Sequence, residues 1–242
     1  MRISVRITKR AFDLLAASVG LAVTILFYPI IAAAIYLDCP GDILFRQRRV
    51  GRLLGPDHTS SHRFRYIEFE MLKFRTMMPN AEATTGAVIA AEGDSRVTRV
   101  GRLLRSTRLD ELPQLWNVLR GDMSFVGPRP ERPEIIANLA LAIPFFEERM
   151  RGVKPGLTGL AQVSLGYTGR PLPGSDIEQY LGSLTNPFNV EGAEGALADD
   201  MRIKALYDFA YVAATEDFLS FLRLECWILL QTPLAVLKRT GR

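Results

Sequence analysis

The sequence predicts an α+β, helix-rich fold: an N-terminal re-entrant membrane helix (residues 1–40), then a cytosolic helical domain (41–242) with a small β-hairpin or sheet. Three observations predict it. Residues 14–37 (LLAASVGLAVTILFYPIIAAAIYL) carry no charge. Phe64, Tyr66, Phe69 and Met71 alternate with polar positions, a strand signal. Residues 95–121 place apolar side chains at helical spacing. The 242 residues suffice for one domain with a real core and an appendage.

At about 1.5 Å per residue the uncharged run makes a helix roughly 36 Å long, enough to cross a bilayer. It is too long for the apolar region of a signal peptide, and basic sequence follows it. Two features argue against a plain span. Pro29, preceded by Tyr28, sits inside the run, where proline costs a helix about 3 kcal/mol or a kink. Basic residues flank both sides, Arg2, Arg6, Lys9 and Arg10 before and Arg46, Arg48, Arg49 and Arg52 after, so the positive-inside rule puts both ends in the cytoplasm. A helix bent at Tyr28-Pro29 that returns to its own side satisfies both. Carbonyls freed at the bend need partners, and Thr24 lies one turn upstream. An ordinary spanning anchor and a core helix are the competing readings.

Residues 40–80 read as strand and turn around a polar loop at 55–62, and 80–94 as a loop. The segment 95–121 reads as two helices broken near Ser106–Leu109. Val97, Val100, Leu103 and Leu104 form one apolar face, and Leu112, Leu115, Trp116 and Leu119 the other. Pro113 belongs in a first turn, so the second helix starts close to Asp110, and Gly121 caps its end. Residues 134–152 read as helical and VKPGLTGLAQV (153–163) as a loop with a short strand. Residues 166–200 lack periodicity and read as a surface insertion. Residues 217–239, apolar and aromatic with Trp227 and a Lys-Arg end, read either as an interfacial helix or as a core helix.

Composition removes several function classes. The net charge of +4 suits an acidic lipid surface or a phosphorylated substrate and is too weak to indicate nucleic acid. Cys39 and Cys226 lie far apart near apolar segments and read as reduced, structural thiols of a cytosol-facing protein. His58 and His62 lie four residues apart in a polar loop, but no Cys-x-x-Cys accompanies them to complete a zinc site, and phosphate-loop, dinucleotide and nucleophile-elbow motifs are missing.

The chemistry concentrates in RSTRLDELPQLWNVLRGDMSFVGPRPE (105–131). Adjacent helical side chains point about 100° apart, so Asp110 and Glu111 read as two jobs rather than a proton-sharing pair. An N-cap acid beside a dipole-complementing neighbour, worth about 0.3–1 kcal/mol, is the simpler explanation. The arginines shift the balance. Arg96, Arg99, Arg102 and Arg105 form a basic stripe ending at the acids. Arg129 is fixed between two prolines, and guanidinium binds phosphate bidentately. Lys73 and Arg75 alternate in LKFRTM and would project from one strand face. A carboxylate attacking a phosphate must overcome repulsion, and Mg²⁺ bound by one or two carboxylates and the phosphates relieves it. The residue types thus fit covalent phosphoryl transfer without establishing it.

KRAFDLL with the apolar run and Pro29, FRQRRVGR, MLKFRTM, TRVGRLLRSTRLDELPQLWNVLRGDMSFVGPRPE, VKPGLTGLAQV and LYDFAYV occur in this order over nearly the whole chain. In these pieces the chain resembles the bacterial sugar transferases, monotopic phosphoglycosyl transferases acting on polyprenol phosphates, in a minimal single-domain form. The resemblance implies transfer of a sugar-1-phosphate from a UDP-sugar donor to undecaprenyl phosphate, with UMP leaving first, at the cytoplasmic face of the bacterial inner membrane. It implies Asp110 as nucleophile, forming a phosphoglycosyl-aspartate, and Glu111 as catalytic partner and Mg²⁺ ligand. Lys73, Arg75, Arg105, Arg129 and Asp208 would surround the substrate, and Tyr28-Pro29 would break the membrane helix. Expected partners are nucleotide sugar, polyprenyl phosphate and membrane lipid, with no nucleic acid; the expectation leaves room for a homodimer. Tyr28 departs from the serine more usual before that proline, and 166–200 replaces a short stretch in many members, so sugar specificity is not carried over. The competing class is a catalytically silent membrane scaffold, against which the retained Lys73, Arg105, Asp110, Glu111 and Arg129 argue. A membrane-seated soluble-type glycosyltransferase would usually carry Asp-x-Asp, which is missing.

Overall fold

The uncharged run and the charged residues before it form two helices, α1 (Ile3–Thr24) and α2 (Tyr28–Asp38), joined by a 3-10 turn at Ile25–Phe27. The computed structural model describes residues 1–56, 64–81, 94–165 and 193–237. Pro29 has no N–H for the Ile25 carbonyl, and the tightened turn supplies the Tyr28 N–H instead. The Thr24 hydroxyl donates to the Gly20 carbonyl at 2.7 Å, one turn before the break rather than at it.

Both helices lie on the rest of the protein along their length. Val5, Lys9, Asp13 and Ala17 of α1 and Ile31 and Ile35 of α2 are buried, whereas Leu15, Val23, Leu26, Ile30 and Leu37 are exposed. Lys9 and Arg10, expected to be basic flanks, turn inward. Lys9 pairs with Glu225, and Arg10 donates to the carbonyls of Val118 and Leu119. The cationic flank on that side is therefore reduced to Arg2 and Arg6.

The expected hairpin is present as β1 (Leu44–Pro56) antiparallel to β2 (Phe64–Phe74), with Arg46 opposite Leu72 and Val50 opposite Glu68. The register shifts between Val50 and Leu53 and again before Gly55. The apolar phase of β2 changes over the same stretch. Tyr66 packs beside Val50, Ile136, Leu139 and Phe146, whereas Phe69 and Met71 pack against Ala17, Leu115 and Val118. One hairpin thereby serves two cores.

The predicted pair of helices is α3 (Arg99–Thr107) and α4 (Gln114–Arg120), with Gly121 at φ 90° closing α4. Asp110 does not start α4; it lies in a separate 3-10 turn, Leu109–Glu111. Strand β3 (Ser124–Val126) pairs in parallel with β4 (Gly156–Thr158). That pairing needs glycine: a Cβ on Gly156 would lie 2.2 Å from the Gly127 nitrogen, and one on Gly159 2.2 Å from the Gly127 carbonyl oxygen. The helix expected over 134–152 is shorter. Helix α5 (Pro133–Ala142) ends before Pro144, and a 3-10 turn occupies Phe146–Met150. The short strand expected within VKPGLTGLAQV is β4, and its Leu-Ala-Gln-Val end opens helix α6 (Leu160–Leu165).

Helices α7 (Ala193–Ala214) and α8 (Phe218–Leu237) complete the described chain. Of the expected insertion, 166–192 lies outside the described residues, as do His58 and His62, while 193–200 belongs to α7. Helix α8 has a core face and an exposed apolar face: Phe221 and Ile228 are buried, and Leu219, Trp227 and Leu230 are exposed. Ile3–Asp38 and Phe218–Val236 are long and apolar enough to cross a membrane by length and composition. Both cysteines are free.

Candidate functional site

Helix α3 ends on Arg108, a non-glycine residue in the left-handed conformation (φ 61°, ψ 13°). That conformation costs about 1–2 kcal/mol for a residue with a Cβ. It stops the helix and turns Leu109–Glu111 inward, so that Asp110 and Glu111 are both 6% exposed. Carboxylates are rarely so buried unless charge surrounds them.

The surrounding charge comes from three other segments. Lys73, near the end of β2, lies 3.1 Å from Glu111 and 4.0 Å from Asp110. Arg129 donates to Glu111 Oε1 at 2.8 Å, and Arg108 lies 4.0 Å from the same oxygen. Arg105 donates to the Thr76 hydroxyl at 2.9 Å, and its charge acts on Asp110.

The two acids differ in environment. Burial favours the neutral form of each. At Glu111 it is outweighed by Arg129, Lys73 and Arg108, which hold the carboxyl well below the usual range. At Asp110 burial prevails over Lys73, and the charge of Glu111 adds to it, so its carboxyl is raised. Asp110 Oδ1 is buried without a hydrogen-bond partner. Burial likewise lowers the ammonium of Lys73 against the pull of the acids. A pair pushed apart in this way is suited to separate chemical tasks. A buried carboxylate oxygen without a partner costs stability, which is characteristic of functional sites.

Arg129 is held through its backbone. Four successive carbonyls accept hydrogen bonds: Pro128 from Gly156 N at 2.8 Å, Arg129 from Arg149 Nη2 at 2.7 Å, Pro130 from Arg49 Nη1 at 3.0 Å and Glu131 from Val50 N at 2.9 Å. Prolines 128 and 130 have no N–H, so the loop is fastened by its acceptors. Arg49 is lowered to about 10 by burial. Arg149 in turn donates to Asp208 Oδ2 at 2.8 Å, and burial raises the Asp208 carboxyl to about 6.

Lys73, Arg105, Asp110, Glu111 and Arg129 are thus brought together. Asp208 connects to them through Arg149 and the Arg129 carbonyl. Arg75 lies beyond the end of β2, and its guanidinium holds the carbonyls of Cys39 and Pro40 after α2. The basic stripe is also divided: Arg96 pairs with Asp94 at 2.6 Å and Arg102 donates to the Val97 carbonyl. Arg49 and Arg149 were not singled out as site residues from the sequence. The FRQRRVGR block holds Arg49; Arg149 carries no local signal.

Among the described residues no three His, Cys, Asp or Glu side chains group as a metal site. Mg²⁺ needs only one or two carboxylates beside substrate phosphates, and Glu111, a carboxyl kept ionised by its cationic neighbours, fits that smaller requirement.

Tyr28 and Pro29 border a groove of about 840 Å³, with Leu21, Ile25, Phe74, Pro113 and Trp116 in its apolar wall and Arg46, Glu70 and Arg120 as its charged residues. Pro113 and Leu72 join it to the segments that carry Asp110 and Lys73.

The family model described as "Bacterial sugar transferase" matches residues 4–239. Among curated proteins, the chain is 39% identical over 84% of its length to a UDP-N-acetylgalactosamine-undecaprenyl-phosphate N-acetylgalactosaminephosphotransferase of Aeromonas hydrophila, covering 38% of that protein. It is 45% identical over 67% of its length to a UDP-glucose:undecaprenyl-phosphate glucose-1-phosphate transferase of Caulobacter vibrioides, covering 55% of it. A putative undecaprenyl-phosphate N-acetylgalactosaminyl 1-phosphate transferase of Bacillus subtilis is 42% identical over 59% of this chain and 72% of its own. The chain therefore spans about two fifths to three quarters of these relatives.

Proposed function

Because the chain belongs to the bacterial sugar transferase family, we propose that it moves a sugar-1-phosphate from a UDP-sugar to undecaprenyl phosphate through a covalent intermediate on Asp110. The observation that carries this reading is the partnerless, buried Oδ1 of Asp110 among Lys73, Arg108 and Arg105, next to a Glu111 paired with Arg129. The carboxylate attacks the sugar-bearing phosphorus. The bond from that phosphorus to the oxygen shared with the other phosphate breaks, and UMP leaves. A phosphate oxygen of the acceptor then attacks the same phosphorus, the acyl-phosphate bond breaks, and Asp110 regains its carboxylate. Undecaprenyl-diphosphate-sugar is the product.

Arg129 and Lys73, both touching Glu111, stand ready to neutralise the diphosphate, and guanidinium suits its paired oxygens. Glu111, ionised by its cationic neighbours, would hold Mg²⁺ with the substrate phosphates. Bound there, the ion would neutralise charge as the phosphoryl group transfers. The groove at Tyr28-Pro29 offers an apolar wall to the acceptor's prenyl chain beside the acids.

The apolar segment is re-entrant in this reading. Its buried residues run from Val5 to Ile35, so a helix crossing the bilayer away from the domain would strand Asp13, Ile31 or both. The exposed faces of α1, α2 and α8 would rest in one leaflet of the inner membrane, with the site at the cytoplasmic surface where nucleotide sugars reside. The relatives' names differ in sugar, so the donor is the quantity to measure.

The test is UMP release by detergent-purified protein with Mg²⁺, undecaprenyl phosphate and a panel of UDP-sugars, with Asp110→Asn as control. Release with one sugar, lost in the variant, is expected. Undiminished release by Asp110→Asn would remove the nucleophile assignment. No release with any donor would favour the silent scaffold.

A further inference from the structure

The KRAFDLL motif at the start of α1 is unexplained by membrane insertion alone. Three ionisable groups are buried where α1 meets α8: Lys9 at 7%, Asp13 at 2% and Glu225 at 1% exposure. Lys9 Nζ donates to Glu225 Oε1 at 2.6 Å and lies 3.5 Å from Asp13 Oδ1. An apolar helix contact would avoid the desolvation of such charges, so their presence calls for a role other than bulk stability.

Their remaining partners show where the network leads. Asp13 Oδ1 accepts the Ser124 hydroxyl at 2.7 Å and the Phe125 N–H at 2.8 Å. Glu225 Oε2 and the Val126 carbonyl both lie within hydrogen-bonding reach of the Tyr211 hydroxyl, at 3.2 and 3.1 Å. All three residues of β3 are thus held by this network, and β3 runs directly into Gly127-Pro128-Arg129. One turn earlier on α1, Arg10 holds the carbonyls of Val118 and Leu119 at 2.7 Å each. Those carbonyls end α4, which follows the Asp110–Glu111 turn.

We propose that the N-terminal helix is the frame of the reaction centre, and that Asp13 is a positioning residue setting Arg129 against Glu111 through β3. Arg10 fixes the acid-bearing side and Asp13 the Arg129 side. The 2.8 Å contact between Arg129 and Glu111 closes the span between them. Seating of the apolar helix and alignment of the phosphate-binding arginine become one event. The inference rests on the reading of Glu111 and Arg129 as substrate-site residues.

A double-mutant cycle tests it. Asp13→Asn keeps the shape and loses the charge, and it should lower kcat/KM for UMP release about tenfold. In an Arg129→Ala background the same change should cost less than about twofold, because a residue acting through Arg129 has nothing left to position. Tyr211→Phe, which removes one hydroxyl from a buried ring, should show the same non-additivity and keeps the test available if Asp13→Asn does not fold. Equal losses in both backgrounds would overturn the proposal, as would failure of both variants to fold, since the network would then be structural only. If the wild type releases no UMP from any donor, the reaction reading fails separately. Amide exchange at Arg129 and Glu131 then decides: acceleration of about tenfold in Asp13→Asn supports the frame, and unchanged exchange refutes it.

Discussion

Replacing Asp208 by asparagine removes a buried charge while keeping its shape. Asp208 is 2% exposed and accepts from Arg149 Nε at 2.8 Å, yet burial prevails and its carboxyl rises from 3.8 to about 6. A shift of about two units at about 1.4 kcal/mol each is worth about 3 kcal/mol. A carboxyl whose pKa is higher folded than unfolded takes up a proton on folding. Its contribution is fully present below 3.8 and is lost as pH rises through about 6. Asparagine has no such dependence. The stability of wild type relative to Asp208→Asn should therefore be greater by about 2 kcal/mol at about pH 4.5 than at about pH 7.5. Reversible unfolding of both proteins in the same detergent at the two pH values measures this, and titrating groups that do not act on Asp208 cancel in the difference. An equal difference at both pH values would show that Arg149 offsets the burial, and a larger one at the higher pH would reverse the argument's sign.

Arg129→Ala removes the 2.8 Å charge-assisted bond to Glu111 and should cost about 1.5–3 kcal/mol, roughly 10- to 150-fold in kcat/KM for UMP release. Wild-type kinetics would reduce the Pro-Arg-Pro segment to a structural element. Asn117 is fully buried, accepts from Leu72 N at 2.9 Å and donates to the Glu70 carbonyl at 2.7 Å, so it joins α4 to the strand bearing Lys73. Asn117→Ala leaves both backbone groups unsatisfied and should lower unfolding stability by about 2–4 kcal/mol, with a loss below about 0.5 kcal/mol counting against that link.

Much of the architecture was legible because it is local. The uncharged run marked α1 and α2, and Pro29 marked their break within a few residues. Pro113 and Gly121 bracketed α4, and the alternation at 64–71 marked β2. The failures are local signals overruled by packing. Asp110 reads as a helix start, but Arg108 in the left-handed region diverts the turn inward. Lys9 and Arg10 read as membrane flanks, yet the groups that bind them, Glu225 and the end of α4, are far along the chain.

By itself the sequence determined the inventory: a bent apolar helix, a hairpin, and a carboxylate pair accompanied by lysine and several arginines. Only the tertiary structure decided the assignments. It directed Arg129 and Lys73 to Glu111, Arg75 to the carbonyls after α2, Arg149 between Asp208 and Arg129, and Asp13 beneath β3. The cations are chemically alike, so composition cannot sort them. Which one meets which acid depends on backbone geometry across long sequence separations, and burial then opposes each pairing, losing to the cations at Glu111 and prevailing at Asp110 and Asp208.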